Sequence, residues 1–194
     1  MTIQTRRERE RAERERLIVT AARELAEAEG WDAVTTRRLA AEIEYSQPVL
    51  YSHFKGKDAI MAAVAVQGCA ELAAELRAAR TAAEGTRGAL AAVGKAYTDF
   101  ARRRPALYDA MFTHTVDLPF ATPEAPAALQ EAFGELLRAV EPVAHEGDDP
   151  GLLAETYWAG LHGLVTLMRS GRLPAEAHER RLALLIGHFA AGTN

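Results

Sequence analysis

The segment from Thr35 to Lys57 reads TTRRLAAEIEYSQPVLYSHFKGK and sets hydroxyl, amide, imidazole and ammonium groups on a short apolar framework. Thr35 and Ser46 are good N-cap residues, because a hydroxyl accepts one of the backbone N–H groups that lack a helical partner. Pro48 is tolerated in the first turn of a helix, where its missing N–H costs nothing. The segment therefore predicts two short helices, one starting after Thr35 and the other after Ser46.

The two predicted helices have the size and spacing of a helix-turn-helix unit. Leu39 supplies the buried side of the first helix and Leu50 that of the second, and a longer helix over Arg9–Glu29 would brace the pair. An α-helix fits the major groove of DNA, and the second helix of such a unit presents its first residues to base edges. Gln47 could then hydrogen-bond an adenine edge, so the pattern predicts a DNA-binding surface.

Charge patterning gives this surface a modest basic excess, although the whole chain carries a net charge of −4. Between Thr35 and Lys57, four basic residues stand against two acidic ones, which is the right sign for attraction to phosphates. Upstream, Arg6–Arg16 holds six Arg against four Glu. That segment is either a solvated, salt-bridged helix extension or an arm that touches nucleic acid. The sequence favours the first, because the Glu residues cancel most of the field.

The rest of the 194-residue chain predicts helices throughout, because Ala, Leu, Glu and Arg dominate and alternating β-branched runs are nearly absent. The predicted fold class is all-α with about nine helices. An N-terminal three-helix helix-turn-helix domain is predicted for residues 1–58, and a C-terminal helical domain for residues 59–194. After the helix-turn-helix, the predicted helices cover residues 57 to the low eighties, 86–104, a short stretch from 105, 127–140, 151–170 and 175–191.

Composition also bears on where the protein works. The single cysteine, Cys69, excludes an internal disulfide and suits a reducing cytosol. The longest uninterrupted apolar run, Ala59–Val66, is shorter than the roughly 20 residues of a membrane-spanning helix. The N-terminus is charged from its sixth residue with no apolar segment behind it, so no signal peptide is expected. We expect a cytoplasmic protein without a membrane partner.

One stretch, VTTRRLAAEIEYSQPVLYSHFKGKDAIM from Val34 to Met61, resembles the DNA-binding segment of the TetR-type transcriptional repressors. The resemblance covers about Leu17 to Met61 and rests on TTR, QP.LY, the following His and the Lys after it. A second stretch, WAGLHGLV from Trp158 to Val165, is similar to part of the C-terminal dimerisation region of many members. The resemblance implies a homodimer that binds a palindromic double-stranded DNA operator, represses transcription and is released by a small molecule.

Residues that match the family's motif are expected to have its roles. The resemblance implies base contacts from two residues, apolar contacts from two more and phosphate contacts from four. The residues implied to contact bases are Arg37 and Gln47, and those implied to make apolar contacts are Pro48 and Val49. The residues implied to contact phosphates are Thr35, Tyr51, His53 and Lys57. The predicted DNA-binding set is completed by Thr36, Arg38, Ser46, Ser52 and Lys55.

Three positions depart from the family pattern. The turn residue is usually a Gly with a left-handed backbone, and here that role falls to Glu44 or Tyr45 at a cost of about 1 kcal/mol. Arg38 stands where an acidic capping residue is common, so we expect it to add a DNA contact. Ser52 replaces a larger aromatic residue.

The resemblance implies that residues 59–194 form a ligand-binding and dimerisation domain, and this domain should enclose a ligand between its helices. The candidate ligand-binding residues are mostly aromatic, and each could equally belong to the core. They are Tyr97, Phe100, Tyr108, Met111, Phe112 and His114. An aromatic lining favours a mostly apolar ligand over a sugar or a nucleotide, which would need more convergent polar groups.

The last two predicted helices carry more apolar residues than two terminal helices of a monomer could hide, which predicts a dimer interface. The residues assigned to it are Trp158, Leu161, His162, Leu164, Val165, Leu182, Leu185 and Phe189. Gly160 and Gly163 lie near one helix face, where they either allow close approach between subunits or are incidental.

Motifs typical of catalysis or metal binding do not occur. The six His and one Cys form neither an HExxH pattern nor a Cys/His pair, so we expect no metal site, no cofactor and a structural Cys69. Two alternatives remain open. One is a helical small-molecule-binding protein or enzyme without DNA function, and the other is an adaptor that binds proteins through its charged N-terminal helix.

Overall fold

A computed structural model describes residues 3–120 and 122–191, and within these ranges it contains nine α-helices and no strand. The predicted all-α class is therefore confirmed. The helices are α1 (Ile3–Glu29), α2 (Thr36–Glu42), α3 (Gln47–His53), α4 (Lys57–Ala82), α5 (Gly85–Arg103), α6 (Pro105–Phe112), α7 (Ala127–Val140), α8 (Pro150–Arg169) and α9 (His178–Phe189). Three short 3₁₀ helices lie at Trp31–Ala33, Glu141–Val143 and Ala175–Ala177.

The predicted helix ends are wrong in two places. α1 begins at Ile3 rather than Arg9, because i,i+4 ion pairs such as Arg11–Glu15, at 2.8 Å, extend the helix into the charged segment. The last predicted helix, over residues 175–191, consists of a 3₁₀ turn followed by α9. The remaining predicted ends agree with the structure within one residue.

The described chain divides into two compact units. The first takes the chain up to Gly68 and adds Arg104–Glu124, and the second takes Cys69–Arg103 and the chain from Ala125 onward. This division differs from a boundary at residue 58 because α6 packs against α1 and joins the first unit. The boundary at residue 58 between a DNA-binding domain and a ligand-binding and dimerisation domain stays a prediction.

Two hydrogen-bonding side chains that end or follow α1 hold α6 in the first unit. The indole Nε1 of Trp31 donates to the carbonyl oxygen of Ala106 at 2.7 Å. The Glu27 carboxylate accepts from the backbone N–H groups of Ala106 and Leu107 at 3.1 and 3.0 Å. Glu27 thereby caps the first turn of α6, where backbone N–H groups have no helical partner. Trp31 and Glu27 had no assigned role in the sequence reading, because their partners lie far along the chain.

The second unit packs α5, α7, α8 and α9 around a core that contains Tyr157. The buried Tyr157 hydroxyl donates to the carbonyl oxygen of Leu90 at 2.7 Å. Gly94 leaves the space for it, since a Cβ at that position would lie 2.5 Å from the Tyr157 hydroxyl. A small residue on α5 is therefore what lets α8 approach closely enough to bury this polar group with a partner.

A buried carboxylate, Glu135 on α7, is surrounded by three arginines. Arg77, Arg80 and Arg138 each donate to it at 2.9 Å. Burial acts to raise the pKa of Glu135, but the hydrogen bonds from Arg77 and Arg80 and the charges of Arg80 and Arg138 outweigh it, so the pKa lies below its usual value. Glu135 is therefore ionised at neutral pH, and its pairs tie α4 to α7 within the second unit.

Helix α4 is the one helix in the described residues that is long and apolar enough to cross a membrane, judged by length and composition alone. Half of its most apolar 18-residue window is buried in the protein. Its buried residues include Ile60, Val64 and Leu76, as in the core helix of a globular protein. Cys69 is buried on the same helix, and burial raises the pKa of its thiol to about 12, which keeps the sulfur protonated at neutral pH.

Candidate nucleic-acid interface

The α2–α3 pair has the predicted helix-turn-helix form. The Thr35 hydroxyl accepts from the backbone N–H of Arg38 at 3.2 Å and so caps α2 as expected. Ser46 occupies the N-cap of α3 without a side-chain capping bond. Leu39 and Leu50 are fully buried and attach the two helices to the first unit. With its apolar side covered, α3 presents its other side to solvent.

The turn between the helices needs a left-handed residue, and Glu44 supplies it with φ of 56°. The N–H of Tyr45 then reaches back to the carbonyl oxygen of Ala40 at 2.8 Å, which ends α2 with a Schellman-type pattern. The prediction that Glu44 or Tyr45 adopts this backbone is confirmed. A side chain at this position costs roughly 1 kcal/mol relative to Gly, because its Cβ crowds the carbonyl oxygen.

Glu44→Gly is expected to raise the free energy of unfolding by about 1 kcal/mol, since glycine adopts positive φ without steric cost. Urea unfolding followed by circular dichroism measures the change. The matched control is Glu42→Gly in the last turn of α2, which should lower the free energy of unfolding by about 0.5–1 kcal/mol. Equal losses in both variants would mean that Glu44 is not strained.

The solvent-facing side of α3 carries the predicted base-reading residues. Gln47, Pro48 and Val49 are exposed in its first turn. Tyr51 is 51% exposed, and its hydroxyl lies 3.3 Å from the Thr36 hydroxyl. These groups form a short row at the N-terminal end of a helix, which is the end that meets base edges in helix-turn-helix proteins.

Further predicted DNA-binding residues frame this row. Arg37 and Lys55 are exposed at the start of α2 and just past the end of α3. Neither has a hydrogen bond or ion pair among the described residues. The Ser52 hydroxyl donates to the carbonyl oxygen of Val49 at 2.6 Å and leaves its lone pairs open. Arg37 and Lys55 thus precede and follow the row along the chain, and both are exposed.

Three basic residues predicted to contact DNA already have partners inside the protein. Arg38 forms two parallel hydrogen bonds to the Glu29 carboxylate, one of them 2.7 Å long, and this pairing lowers the pKa of Glu29. The His53 side chain is only 6% exposed and lies 3.4 Å from Glu15. The Lys57 ammonium donates to the carbonyl oxygen of Trp31. For Arg38 and Lys57 a phosphate contact requires these bonds to be exchanged, and the buried His53 is poorly placed to make one.

The predicted ligand-binding residues divide between the two units. Tyr108 and Met111 are buried on α6 in the first unit, and Tyr97 and Phe100 are buried on α5 in the second. Phe112 packs edge-on against Tyr108, with ring centroids 5.0 Å apart. Another member of the predicted set, His114, is exposed and lies edge-on to Trp31 at 6.2 Å. A role in ligand binding stays a prediction for all of them.

Three of the residues assigned to a dimer interface are instead buried within the chain itself: Leu161, Val165 and Leu182. The reasoning that a monomer could not hide Leu161 and Leu182 was therefore wrong, because both side chains lie against Gly94 of α5. Trp158 is half-buried and donates through Nε1 to the Tyr97 hydroxyl at 2.9 Å. His162, Leu164, Leu185 and Phe189 are half-buried.

The exposed apolar residues of α8 and α9 are ones that sequence reading missed. Leu152 is 61%, Leu167 40% and Leu184 66% exposed. Gly160 lies under the Leu185 side chain, where a Cβ would approach within 2.9 Å, so it serves packing inside one chain. Gly163 has open space in front of it and shares the outward side of α8 with Leu152. Helical periodicity, counted from Leu161 as a buried position, would have identified this outward face.

No group of three or more His, Cys, Asp and Glu side chains that could hold a metal occurs among residues 3–120 and 122–191. The exposed polar face of α3 is thus the site whose chemistry stands out in the described chain.

Two curated relatives match parts of this sequence. An uncharacterised HTH-type transcriptional regulator of Bacillus subtilis is 34% identical over 96 residues, which is 50% of this chain and 50% of the relative. The chain thus spans about half the length of that curated relative. The class D tetracycline repressor protein of Escherichia coli is 44% identical over 50 residues, 26% of this chain and 23% of that protein.

Solved structures share the fold over nearly the whole chain. A protein of unknown function from Rhodococcus sp. RHA1 superposes with a TM-score of 0.76 at 26% identity, covering 92% of this chain and 94% of that one. BioQ, solved with its double-stranded DNA operator, has a TM-score of 0.67 at 23% identity and covers 91% of this chain and 98% of that one. At that identity the BioQ likeness concerns the fold.

Two family models match the chain. One describes bacterial regulatory proteins of the tetR family and covers residues 18–64, which include α2 and α3. The other describes the tetracyclin repressor-like C-terminal domain and covers residues 90–189, just over half of the chain. With the helix-turn-helix and the C-terminal helices both matched, this protein belongs to the TetR family of bacterial transcriptional regulators.

Proposed function

We propose that this protein is a ligand-responsive transcriptional repressor that binds a palindromic operator as a homodimer and is released from it by a small molecule. The observation that carries the proposal is the face of α3, where Gln47, Pro48, Val49 and Tyr51 are exposed while Leu50 is buried. A helix held in this way can enter the major groove with its first turn against the bases.

Gln47 is the residue that we expect to read sequence. Its amide can donate and accept at once, which matches the N6 and N7 edge of adenine. Pro48 and Val49 beside it offer apolar surface to a thymine methyl group. Arg37 and Lys55, both exposed and without internal partners, supply charge for phosphates at either end of α3. The BioQ structure, which contains its DNA operator, supports this use of the fold.

The outward side of α8 and α9 supports the proposed homodimer. Leu152, Leu167 and Leu184 expose apolar surface that a monomer would leave in water. The open space at Gly163 permits close approach of a second helix. A two-fold dimer that binds DNA presents its two copies of α3 to successive major grooves, one DNA turn or about 34–36 Å apart, which predicts a palindromic operator.

The ligand is expected to be a mostly apolar small molecule. The residues proposed to meet it are aromatic or carry sulfur, as in Phe100 on α5 and Met111 on α6. Release of DNA requires that the ligand bind the non-DNA conformation more tightly, by about 2.7 kcal/mol for a 100-fold effect. DNA must then weaken ligand binding by the same factor. We place this activity in the cytoplasm, and the proposal requires no catalytic residue.

Gln47→Ala is expected to cost roughly 1–3 kcal/mol in operator binding and to relax preference at one base pair per half-site. Selection of duplexes from a random library, followed by fluorescence anisotropy on single-base variants, measures both effects. The matched control is Lys55→Ala, which should weaken all duplexes alike and reduce the salt slope by about one unit per protomer.

The outcomes separate the proposal from its alternatives. Unchanged base preference in Gln47→Ala would mean that α3 is not the reading helix. Absence of binding by the wild type to any duplex would leave a helical small-molecule-binding protein or enzyme without DNA function, or a protein-interaction adaptor.

A further inference from the structure

The N-terminal half of α1 does not pack its side chains into the core of the protein. α1 runs unbroken from Ile3 to Glu29, yet its buried residues begin only at Ile18. From Thr5 to Leu17 the side chains are exposed, apart from the half-buried Glu10 and Glu15. At 1.5 Å per residue, this extension reaches about 20 Å beyond the buried part of the helix. Because the extension is helical, the spacing of its exposed side chains around the helix axis is fixed.

Ion pairs support this extension and at the same time neutralise two of its six arginines. Arg6 pairs with Glu10 and Arg11 with Glu15, each at 2.8 Å and four residues apart. Such pairs stabilise an isolated helix by about 0.2–0.5 kcal/mol each. Arg7 and Arg14 have no hydrogen bond or ion pair within the described chain, although the charges of both lower the pKa of Glu10 after the larger effect of Arg6.

Helical spacing places Arg7, Arg11 and Arg14 on one side, which we call the arginine face. The spacing i, i+4, i+7 continues through Ile18 and Leu25, which are buried against the first unit. The arginine face therefore lies on the same side of α1 as the buried residues Ile18 and Leu25. Glu8 and Glu13 lie elsewhere around the helix, and Arg11 is paired with Glu15, so the unpaired charge of this face belongs to Arg7 and Arg14.

The arginine face begins where α3 ends. Glu15 lies 3.4 Å from His53, the last residue of α3, and Arg11 pairs with the same Glu15 carboxylate. From this contact the extension runs toward the N-terminus, and Arg7 lies eight residues, or about 12 Å along the helix axis, from Glu15. When α3 lies in a major groove, the phosphates at its C-terminal end come near this contact.

We propose that the arginine face of α1 contacts DNA phosphates that flank the operator half-site. The inference rests on the proposed function, since it requires that α3 enter a groove. Guanidinium groups pair with phosphate oxygens through two parallel hydrogen bonds, and such contacts position a protein without reading sequence. An acidic protein surface could also be met by these arginines, but the juxtaposition with the end of α3 favours the phosphates of the same duplex.

The test compares two double variants of equal charge. Arg7→Ala/Arg14→Ala removes the unpaired arginines of the face, and Arg9→Ala/Arg16→Ala removes two arginines from the opposite side of the same helix. All four side chains are exposed and alanine favours helix, so both variants should fold like the wild type. The probe is a duplex selected by the wild type from a random library, with and without about six extra base pairs per side, roughly the length that the extension spans.

We expect Arg7→Ala/Arg14→Ala to lower the slope of log affinity against log salt by about 3–4 units per dimer, at about 0.9 per lost phosphate contact. It should also abolish the gain in affinity that the longer duplex gives the wild type. The opposite-face control should change the slope by at most about one unit on this scale. Arg7→Lys/Arg14→Lys should restore most of the slope, because lysine keeps the charge.

Three results would overturn the proposal while leaving the proposed function intact. They are a wild-type slope in Arg7→Ala/Arg14→Ala, equal losses in both double variants, and no dependence of the wild type on duplex length. A wild-type slope in Arg7→Ala/Arg14→Ala would mean that these arginines do not contact DNA. Equal losses in both double variants would mean that the arginines of α1 attract DNA only through their net charge. Failure of the wild type to bind any duplex would instead overturn the proposed function.

Discussion

Replacing Leu184 with Glu is expected to convert the dimer to monomers and to abolish operator binding. Leu184 is the most exposed of the large apolar side chains in the described residues, at 66%, and it lies on the side of α9 opposite the buried Leu182 and Ile186. In a two-fold dimer each substitution occurs twice. Desolvating an unpaired carboxylate costs at least about 2–3 kcal/mol per copy, so the dissociation constant should rise by roughly 10³–10⁴-fold.

Sedimentation velocity at micromolar concentration measures the change of state, and anisotropy with a selected duplex measures the loss of DNA binding. The control is Leu17→Glu, which places the same charge on a half-exposed leucine of α1 and should leave the dimer intact. A dimeric Leu184→Glu variant that binds DNA like the wild type would exclude this side of α9 from the interface. A monomeric wild type would exclude the dimer itself.

Replacing Trp31 with Ala is expected to lower the free energy of unfolding by about 3–5 kcal/mol, as is usual for a large aromatic residue removed from a core. Trp31 is buried between α1 and α2 and donates through Nε1 to Ala106 at the start of α6. The alanine variant loses the apolar contact, leaves a cavity and deprives the Ala106 carbonyl of its donor. Urea unfolding followed by circular dichroism measures the loss.

Two further variants divide this effect into its parts. Trp31→Phe keeps most of the ring surface and loses the N–H, so it should cost less, about 1–3 kcal/mol. Glu27→Gln keeps an acceptor for the α6 N-terminus but removes the charge, and should cost about 1 kcal/mol or less. If Trp31→Ala unfolds like the wild type, the indole does not hold α6 to α1.

The DNA-facing helix pair was predictable because its determinants are local. A capping hydroxyl at Thr35, a proline in the first turn of α3 and the need for a left-handed residue near Glu44 all act within a few residues of the chain. Helical periodicity then fixed which side of each helix is apolar. These signals do not depend on how distant parts of the chain meet, so the sequence determined them without reference to the rest of the fold.

The partners of charged and aromatic side chains were not predictable in the same way. Arg38 and Lys57 were expected at DNA, and the structure shows Arg38 paired with Glu29 and Lys57 bonded to the carbonyl oxygen of Trp31. Each contact depends on where α1 ends relative to α2 and α4. A residue type at a motif position indicates what a side chain can bond, but the nearest partner is set by the packing of helices.

The sequence by itself determined the all-α class, the helix-turn-helix and the residues exposed on α3, because spacing and capping act along the chain. Only the tertiary structure decided that Leu161 and Leu182 face the core while Leu184 faces outward. All three are leucines on amphipathic helices, and their roles depend on the angle at which α8 and α9 meet α5. That angle arises from contacts such as the one between Tyr157 and Leu90, which join residues far apart in the chain.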